Sequence, residues 1–188
     1  MKVKNKTGLR GIFTLEQRDK DGNIKQAWQD NAVWRFFSRL FHVDLRIPFL
    51  TGSLVDVYSG HNLIVNAGLA ALMSVWNGDG SEAAFTYLAV GSDDTAVTAA
   101  DTTLGTEIAA SGLERASATA SRDTENVTND RGELTHQWTA TGVLAVKELG
   151  VFNAASAGTM FARKIITTKN LESGDTLTGT YTVYSVNA

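Results

Sequence analysis

The sequence predicts a mainly β protein: an antiparallel β-sandwich with one short core helix, preceded by an N-terminal hairpin and an amphipathic helix. Six strand-like runs follow Phe85, separated by turn-forming clusters rich in Gly, Asn, Asp and Ser. Apolar and polar side chains alternate within these runs, and only two segments of the chain carry a helical period. Short strands at this spacing are typical of an antiparallel sandwich rather than of a parallel α/β sheet.

The first predicted element is a β-hairpin formed by residues 11–17 and residues 24–28. Asp19, Asp21, Gly22 and Asn23 lie between the two runs and favour a tight turn with positive φ angles. The Asp-x-Asp pattern is also found in calcium loops. An EF-hand loop, however, needs glycine at its sixth position, where Ile24 stands, so the turn is the favoured interpretation.

An amphipathic helix is predicted after the capping residues Asp30 and Asn31, in the run AVWRFFSRLFHV. Its polar face carries Arg35, Ser38, Arg39 and His42. Its apolar face, spaced i, i+3, i+4, i+7, i+8, consists of Val33, Phe36, Phe37, Leu40 and Phe41. Such a helix can pack on its own domain, dock into a partner or lie on a membrane surface.

The docking interpretation of this helix assigns four partner-binding residues. Phe37 and Phe41 are the expected anchors, because buried aromatic side chains dominate interface energies. Arg35 and Arg39 are expected at the rim, where charges mainly affect association rate and salt sensitivity. The helix is expected to end before Pro48, the only proline.

A second, shorter helix is predicted near residues 67–76, after a loop or short strand over residues 49–61. Asn66 is the expected N-cap and Gly78 the expected C-cap. The apolar face, expected to plug one end of the sheet core, consists of Leu69, Leu72, Met73 and Trp76.

The strand patterns and the charge distribution divide the chain at residue 61. Residues 1–61 are predicted to form a docking region, and residues 62–188 a sandwich domain in which His136, Trp138 and Tyr181 face inward. Residues 1–47 carry ten Lys or Arg and five Asp or Glu, a balance of +5, whereas residues 48–188 carry seven and fifteen, a balance of −8. This asymmetry is suited to steering a partner or a second copy of the chain.

The residue inventory predicts no enzyme, no cofactor and no metal site. The chain has no cysteine, no Gly-x-Ser-x-Gly elbow and no phosphate-binding glycine motif. Its three histidines, His42, His61 and His136, are too scattered for a zinc site. The Asp93-Asp94 pair falls in a polar loop, where solvation or calcium binding fits better than acid–base chemistry.

Nucleic acid and membranes are not expected partners. The basic N-terminal cations are interleaved with acids, and the pI is near 5.6, so no dense phosphate-binding stripe forms. No uninterrupted apolar run approaches the roughly 18 residues of a membrane span, and no signal-peptide core is evident. An acidic protein surface, such as that of a second copy, is the more natural partner.

Several short motifs occur in an order that resembles the small β-rich structural proteins of tailed bacteriophages, especially the attachment domains of tail-fibre and tail-collar proteins. The resemblance covers residues 62–183, and more loosely residues 11–28. It rests on an Asn-x-x-Val-Asn-x-Gly-Leu-x-x-Leu segment followed by four motifs, here Ala89-Val90-Gly91, Thr103-Leu104-Gly105-Thr106-Glu107, Glu148-Leu149-Gly150-Val151-Phe152 and Met160-Phe161-Ala162-Arg163.

This resemblance implies a non-enzymatic virion protein of the tail, baseplate or neck, made in the host cytoplasm and assembled as a homo-oligomer with other virion proteins. A capsid decoration or head-fibre protein is the alternative. A third hypothesis is a host-surface carbohydrate-binding module, in which Trp138 or Tyr181 would stack on sugar if exposed.

Overall fold

The predicted β-sandwich is confirmed by a computed structural model, which describes residues 8–30, 52–55 and 57–186. Within these residues, two five-stranded antiparallel sheets face each other, accompanied by a two-stranded ribbon and one helix. The strands are β1 (Gly8–Arg18), β2 (Ala27–Asp30), β3 (Gly52–Val55), β4 (Val57–His61), β5 (Leu63–Ile64), β6 (Tyr87–Gly91), β7 (Ala116–Ser117), β8 (Thr119–Asp123), β9 (Arg131–Thr139), β10 (Leu144–Phe152), β11 (Met160–Leu171) and β12 (Thr176–Val186). The helix, α1, is Asn66–Asn77.

The first sheet has the strand order β4-β1-β12-β9-β8, and the second has the order β5-β11-β10-β6-β7. Alternation along the strands of the first sheet places one apolar face inward: Phe13 and Leu15 on β1, Trp138 on β9, and Leu177 and Tyr181 on β12 are all buried. The predicted inward orientation of Trp138 and Tyr181 is therefore confirmed.

The second sheet is buried on both of its faces. Its inner face meets the first sheet in a core that includes Leu88, Leu149 and Phe161. Its outer face carries a second apolar cluster, made by Val65, Ala89, Leu104, Phe152 and Met160. Leu104 comes from the long connection between β6 and β7, so this connection forms a cover over the sheet.

The N-terminal hairpin prediction is right in its turn and wrong in its pairing. The Asp19 carboxylate accepts hydrogen bonds from the backbone N–H groups of Asp21 and Asn23, both at 2.9 Å, and Gly22 adopts φ +85°. Beyond a single bridge between Arg18 and Ile24, however, β2 does not pair with β1. The Lys25 backbone N–H still donates to the Gln17 carbonyl at 2.8 Å, whereas β2 pairs with β3 in the separate ribbon.

The structure also differs from the predicted division at residue 61. Strand β1 lies between β4 and β12 in the first sheet, and eleven residue pairs join it to β12. Phe13 and Leu15 belong to the main core. The described part of residues 8–61 therefore contributes two strands to the sandwich, because the alternation in β1 makes it a core strand and not an appendage.

The predicted aromatic helix and its four partner-binding residues, Arg35, Phe37, Arg39 and Phe41, lie outside the described residues. The described residues stop at Asp30, before this segment, and resume at Gly52. Asp30 and Gly52 are paired with each other at the end of the ribbon.

Helix α1 begins and ends close to the predicted positions. Gly78 is the C-cap, with φ +70°, and its backbone N–H donates to the Ser74 carbonyl. Asn66 lies one residue inside the helix, because Val65 occupies the N-cap position without a side-chain cap bond. Among the described residues, no helix is long and apolar enough to cross a membrane.

The predicted buried face of α1 is wrong. The helix turns small residues, Gly68, Ala71 and Ser74, toward the sheet. Of the predicted core residues only Leu72 packs against the core, whereas Leu69, Met73 and Trp76 are 45%, 53% and 82% exposed. A Cβ atom on Gly68 would lie 2.4 Å from the Phe161 carbonyl oxygen, so the helix approaches β11 too closely for a large side chain.

This close approach yields a test by Gly68→Ala. In an ordinary helix the change stabilises by about 1 kcal/mol. Here the added methyl group overlaps the β11 backbone, and we expect the free energy of unfolding to fall by about 1–3 kcal/mol in urea denaturation. Gly8→Ala, where no atom lies within 4 Å of the new Cβ, is the neutral control. A stabilised Gly68→Ala variant would contradict the packing.

Candidate functional site: an apolar groove beside the helix

A largely apolar groove of about 480 Å³ lies between α1 and the first sheet. One wall is the outward part of α1, and the opposite wall comes from β8 and β9, including Ala120, Ser121 and Leu134. Leu9 and Val183, at the ends of β1 and β12, also line it. The floor of the groove is continuous with the main core, since the lining also includes Phe85, Val151, Phe161 and Tyr181.

The helix wall exposes an unusually large apolar surface. Met73 and Trp76 line the groove and are 53% and 82% exposed, and Val75 beside them is 37% exposed. Single exposed apolar residues are common on protein surfaces, but contiguous ones beside a concave surface mark interaction sites. This wall exists because Gly68 and Ala71 occupy the opposite side of the same helix.

Aromatic packing and hydrogen bonds hold the groove in shape. The rings of Phe85 and Phe161 lie 4.8 Å apart. Just before Phe85, the Glu82 carboxylate accepts hydrogen bonds from the Asn153 amide at 2.5 Å and from the Thr159 hydroxyl at 3.0 Å. The segment that follows α1 is thereby fastened to the turn between β10 and β11.

The end of α1 is fixed by Asp79. Its carboxylate accepts hydrogen bonds from the hydroxyl groups of Ser74 and Ser81 and from the Ser81 backbone N–H at 2.9 Å. These bonds, with that from Ser74 the strongest, lower the pKa of Asp79 to about 2. Asp79 is therefore ionised at neutral pH and adds negative charge near the Trp76 end of the groove.

The β8–β9 side of the groove is also net acidic. Arg131 forms ion pairs with Asp123, with Glu125 at 3.4 Å and with Glu133 at 3.1 Å. This cluster therefore holds one cation and three anions, and Glu133 lines the groove. The groove thus combines an apolar interior with acidic edges.

The lining chemistry fits binding of an apolar surface. Apart from the polar atoms of Trp76 and Tyr181, Ser121 and Glu133 supply its polar side chains. No histidine lines the groove. An arrangement of this kind can bury aromatic or aliphatic side chains from a partner, with the acidic edges selecting a basic one.

Two of the three histidines considered for catalysis, His61 and His136, lie within the described residues. His136 makes an edge contact with the Trp138 ring at a centroid distance of 4.8 Å. His61 is exposed at the end of β4, and His42 lies outside the described residues. Within the described residues, no group of three or more His, Asp or Glu side chains could hold a metal ion.

The Asp93-Asp94 pair is held by ion pairs. Asp94 contacts Lys147 at 2.8 Å, while Asp93 contacts Arg163 at 3.2 Å. Arg163 is buried on the outer face of the second sheet and also contacts Asp101 at 2.8 Å. The predicted polar loop after β6 is therefore fastened to the second sheet by Arg163 and Lys147.

Glu148 completes this cluster from beneath the loop. It is fully buried, accepts a hydrogen bond from the Arg163 Nε at 2.7 Å, and accepts two more from the backbone N–H groups of Gly105 and Thr106. Gly91 must be a glycine here, since a Cβ atom would lie 2.4 Å from a Glu148 carboxylate oxygen. We call Arg163, Glu148, Asp93 and Asp101 the buried ion cluster.

The short motifs noted in the sequence supply this cluster and its surroundings. Glu148 and Arg163 belong to two of the motifs, and Gly91 belongs to a third. Glu107, from the fourth, binds Arg115 at 2.5 Å, and the Arg115 guanidinium lies 3.5 Å from the centre of the Phe152 ring. In this chain the motif residues therefore fold the loop cover onto the second sheet.

Lys169 is the one buried lysine among the described residues. It lies on β11 opposite Val146 and is 2% exposed, and its ammonium has no hydrogen-bond partner in the described part of the chain. Burial lowers the pKa of Lys169 to about 8. Lys169 does not line the groove beside α1, so it is not part of the candidate site.

The two residues considered for sugar stacking are buried. Trp138 and Tyr181 are each 2% exposed, and the Trp138 indole N–H donates to the Glu114 carbonyl at 2.8 Å. Neither ring is available to stack on a carbohydrate.

The groove was missed by sequence reasoning because the helical pattern assigned Met73 and Trp76 to the core. A signal for the correct orientation is nevertheless present in the sequence. Ala67, Gly68 and Ala71 form a stripe of small residues at i, i+1 and i+4, which is suited to a close approach between helix and sheet.

Comparisons of the chain with protein-family models, with curated proteins and with solved structures give no match.

The buried ion cluster predicts a large loss of stability for Arg163→Met. The change leaves the buried Glu148 carboxylate without its cation, and removing one partner of such a pair costs about 3–5 kcal/mol. The measurement is the free energy of unfolding in urea. Lys147→Met, which breaks the exposed pair with Asp94, should cost at most about 1 kcal/mol. Equal losses of unfolding free energy for the two variants would contradict the structural role of the buried ion cluster.

Replacing Lys169 by methionine is expected to stabilise the protein, by an amount that depends on pH. Lys169→Met removes a buried ammonium without a partner and should raise the free energy of unfolding at pH 7 by about 1–3 kcal/mol. The native pKa near 8 lies below the ordinary 10.5, so both states are protonated below pH 8 and the penalty is then complete. As pH rises from 8 toward 10.5 the native state sheds the charge, and the advantage of the variant should shrink.

Urea denaturation at several pH values checks this, with the exposed Lys20→Met variant as control. A Lys169→Met variant less stable than the original at pH 7 would contradict the prediction.

Proposed function

We propose that this chain is a non-enzymatic structural protein of a tailed-phage virion, acting in the tail, baseplate or neck through contacts with other copies of itself and with other virion proteins. The observation that carries the proposal is the apolar groove beside α1, with Met73 and Trp76 exposed on its wall. The virion setting is supported by the order of short motifs that resembles tail-fibre and tail-collar attachment domains.

The energetics of the groove favour a protein partner. Burying an aromatic side chain and its apolar neighbours contributes several kcal/mol to association, and such side chains are typical interface anchors. A carbohydrate would need converging polar groups to orient its hydroxyls, and the lining offers mainly Ser121 and Glu133. The groove therefore favours an assembly role over a sugar-binding role.

The basic aromatic segment is the proposed partner-binding element of the chain. Its sequence places Phe37 and Phe41 on an apolar face, with Arg35 and Arg39 beside them. The balance of +5 in residues 1–47 against −8 in residues 48–188 supports contacts between differently charged parts of neighbouring subunits.

A position on the head, as a decoration or head-fibre protein, would use the same kind of contact. Labelling intact particles with an antibody against this chain, followed by electron microscopy, separates the two positions. Signal at the tail, baseplate or neck is expected, and signal spread over the capsid would contradict the proposed position.

Incorporation of variants into particles tests the assembly role. The double change Phe37→Asp and Phe41→Asp should lower the amount of the chain in purified particles at least about tenfold. It removes two anchoring side chains, and a tenfold loss of affinity corresponds to only about 1.4 kcal/mol. Quantitative blotting of particles gives the readout. Removing the whole N-terminus is unsuitable, since β1 lies inside the first sheet.

The matched control is Arg35→Gln with Arg39→Gln, which should reduce incorporation less and mainly at high salt. The thermal unfolding temperature of the aspartate variant should match that of the original chain. Normal incorporation of a folded aspartate variant would contradict the docking role of this segment.

A further inference from the structure

We infer that the groove beside α1 is the receptor for the basic aromatic segment of a second copy of this chain. The contact would run from residues 33–41 of one copy into the groove of its neighbour. This inference rests on the proposed assembly function and names the partner of that contact.

The apolar chemistry of the two surfaces matches. The segment presents five large apolar side chains along one predicted helical face and needs an apolar partner surface to bury them. The groove is lined by Leu72, Met73 and Trp76 of α1 on one side and by Leu134 of β9 on the other. An amphipathic helix laid into an apolar groove is a recurring mode of protein recognition.

The charges are complementary as well. Residues 32–47 contain Arg35, Arg39 and Arg46 against Asp44, a balance of +3 −1 = +2. Residues 74–85, along the exit from α1, contain Asp79 and Glu82 and no Lys or Arg. The Arg131 cluster adds three anions against one cation on the other wall. Opposite charges at the edges of an apolar contact raise the association rate and fix its orientation.

The receptor groove is assigned to a neighbouring copy because the proposed function is assembly between copies. The segment departs from the described chain at Asp30, which is paired with Gly52 on the ribbon. The groove is lined by Leu9 on β1 and by Tyr181 and Val183 on β12, which pair with Phe13 and Gly11.

Because the two contacting surfaces are different parts of the chain, the contact is heterologous. Heterologous contacts generate closed rings or open filaments, which are the arrangements that tubular and ring-shaped particle components use.

The absence of cysteine allows a direct cross-linking test. Ser38→Cys places one thiol in the segment without removing an apolar residue, and Ser121→Cys places one at the groove of a second, differently tagged chain. Mixing the two variants with a short bis-maleimide should give the mixed dimer at about tenfold higher yield than mixing Ser38→Cys with Ser173→Cys. Ser173 is exposed on the β11–β12 turn, outside the groove.

A second variant tests the groove itself. Met73→Glu, added to the Ser121→Cys chain, puts a charge on the exposed groove wall and should reduce the mixed dimer about tenfold. Val143→Glu makes the same change at a residue that is 84% exposed and does not line the groove, so it should have no effect.

Two outcomes would overturn the inference. A chain carrying both Ser38→Cys and Ser121→Cys that cross-links internally, while the mixture gives no mixed dimer, would place the segment in its own groove. A mixed-dimer yield no higher than with Ser173→Cys would assign the groove to a different occupant.

Failure of the inference is distinguishable from failure of the proposed function. If the Phe37→Asp, Phe41→Asp variant is excluded from particles while cross-linking to the groove fails, the assembly role stands and the receptor is another protein. If that variant is incorporated normally, the assembly role of the segment itself is wrong.

Discussion

The close contact between Gly68 of α1 and the backbone of Phe161 on β11 is the constraint on which the candidate site depends. The missing side chain lets the helix approach until a Cβ atom would overlap the Phe161 carbonyl. The Val65 backbone N–H also donates to that carbonyl at 3.0 Å, so the start of the helix is fastened to the same strand. This contact fixes the rotation of the helix about its axis, and the larger apolar side chains must then face away from the sheet.

A second constraint holds the other side of the same sheet. Arg163 pairs with Gly150 and lies on the outer face, although Phe161 two residues earlier belongs to the main core, because the register between β10 and β11 shifts between Val151 and Phe152. Arg163 forms ion pairs with Glu148, Asp93 and Asp101, and these contacts replace the hydration that the charged groups lose on burial. They hold the polar connection after β6 against the sheet. One short stretch of β11 thus positions both the helix and the loop, and through the helix it creates the groove.

The strands were predictable and the helix orientation was not, for physical reasons. Alternation with a period of two leaves no choice of face once one side is apolar, which is why Trp138 and Tyr181 were placed correctly. Helix α1 is apolar around most of its circumference, so its pattern admits two orientations. The choice between them depends on how closely α1 approaches β11, a strand far away in the sequence. The spacing of apolar residues along the helix carries no information about that distance. The same reason applies to β1, whose partner β12 is at the opposite end of the chain.

If the outward face of α1 is a subunit interface, as proposed, oxidative footprinting of Met73 and Trp76 should detect it. Both side chains react readily with hydroxyl radicals when they are exposed, as they are in the single chain. Comparing the dissociated chain with assembled particles, we predict strong protection of both residues on assembly, with Val127, 61% exposed and outside the groove, as the reference surface residue. Equal oxidation of Met73 and Trp76 in the two states would contradict the account.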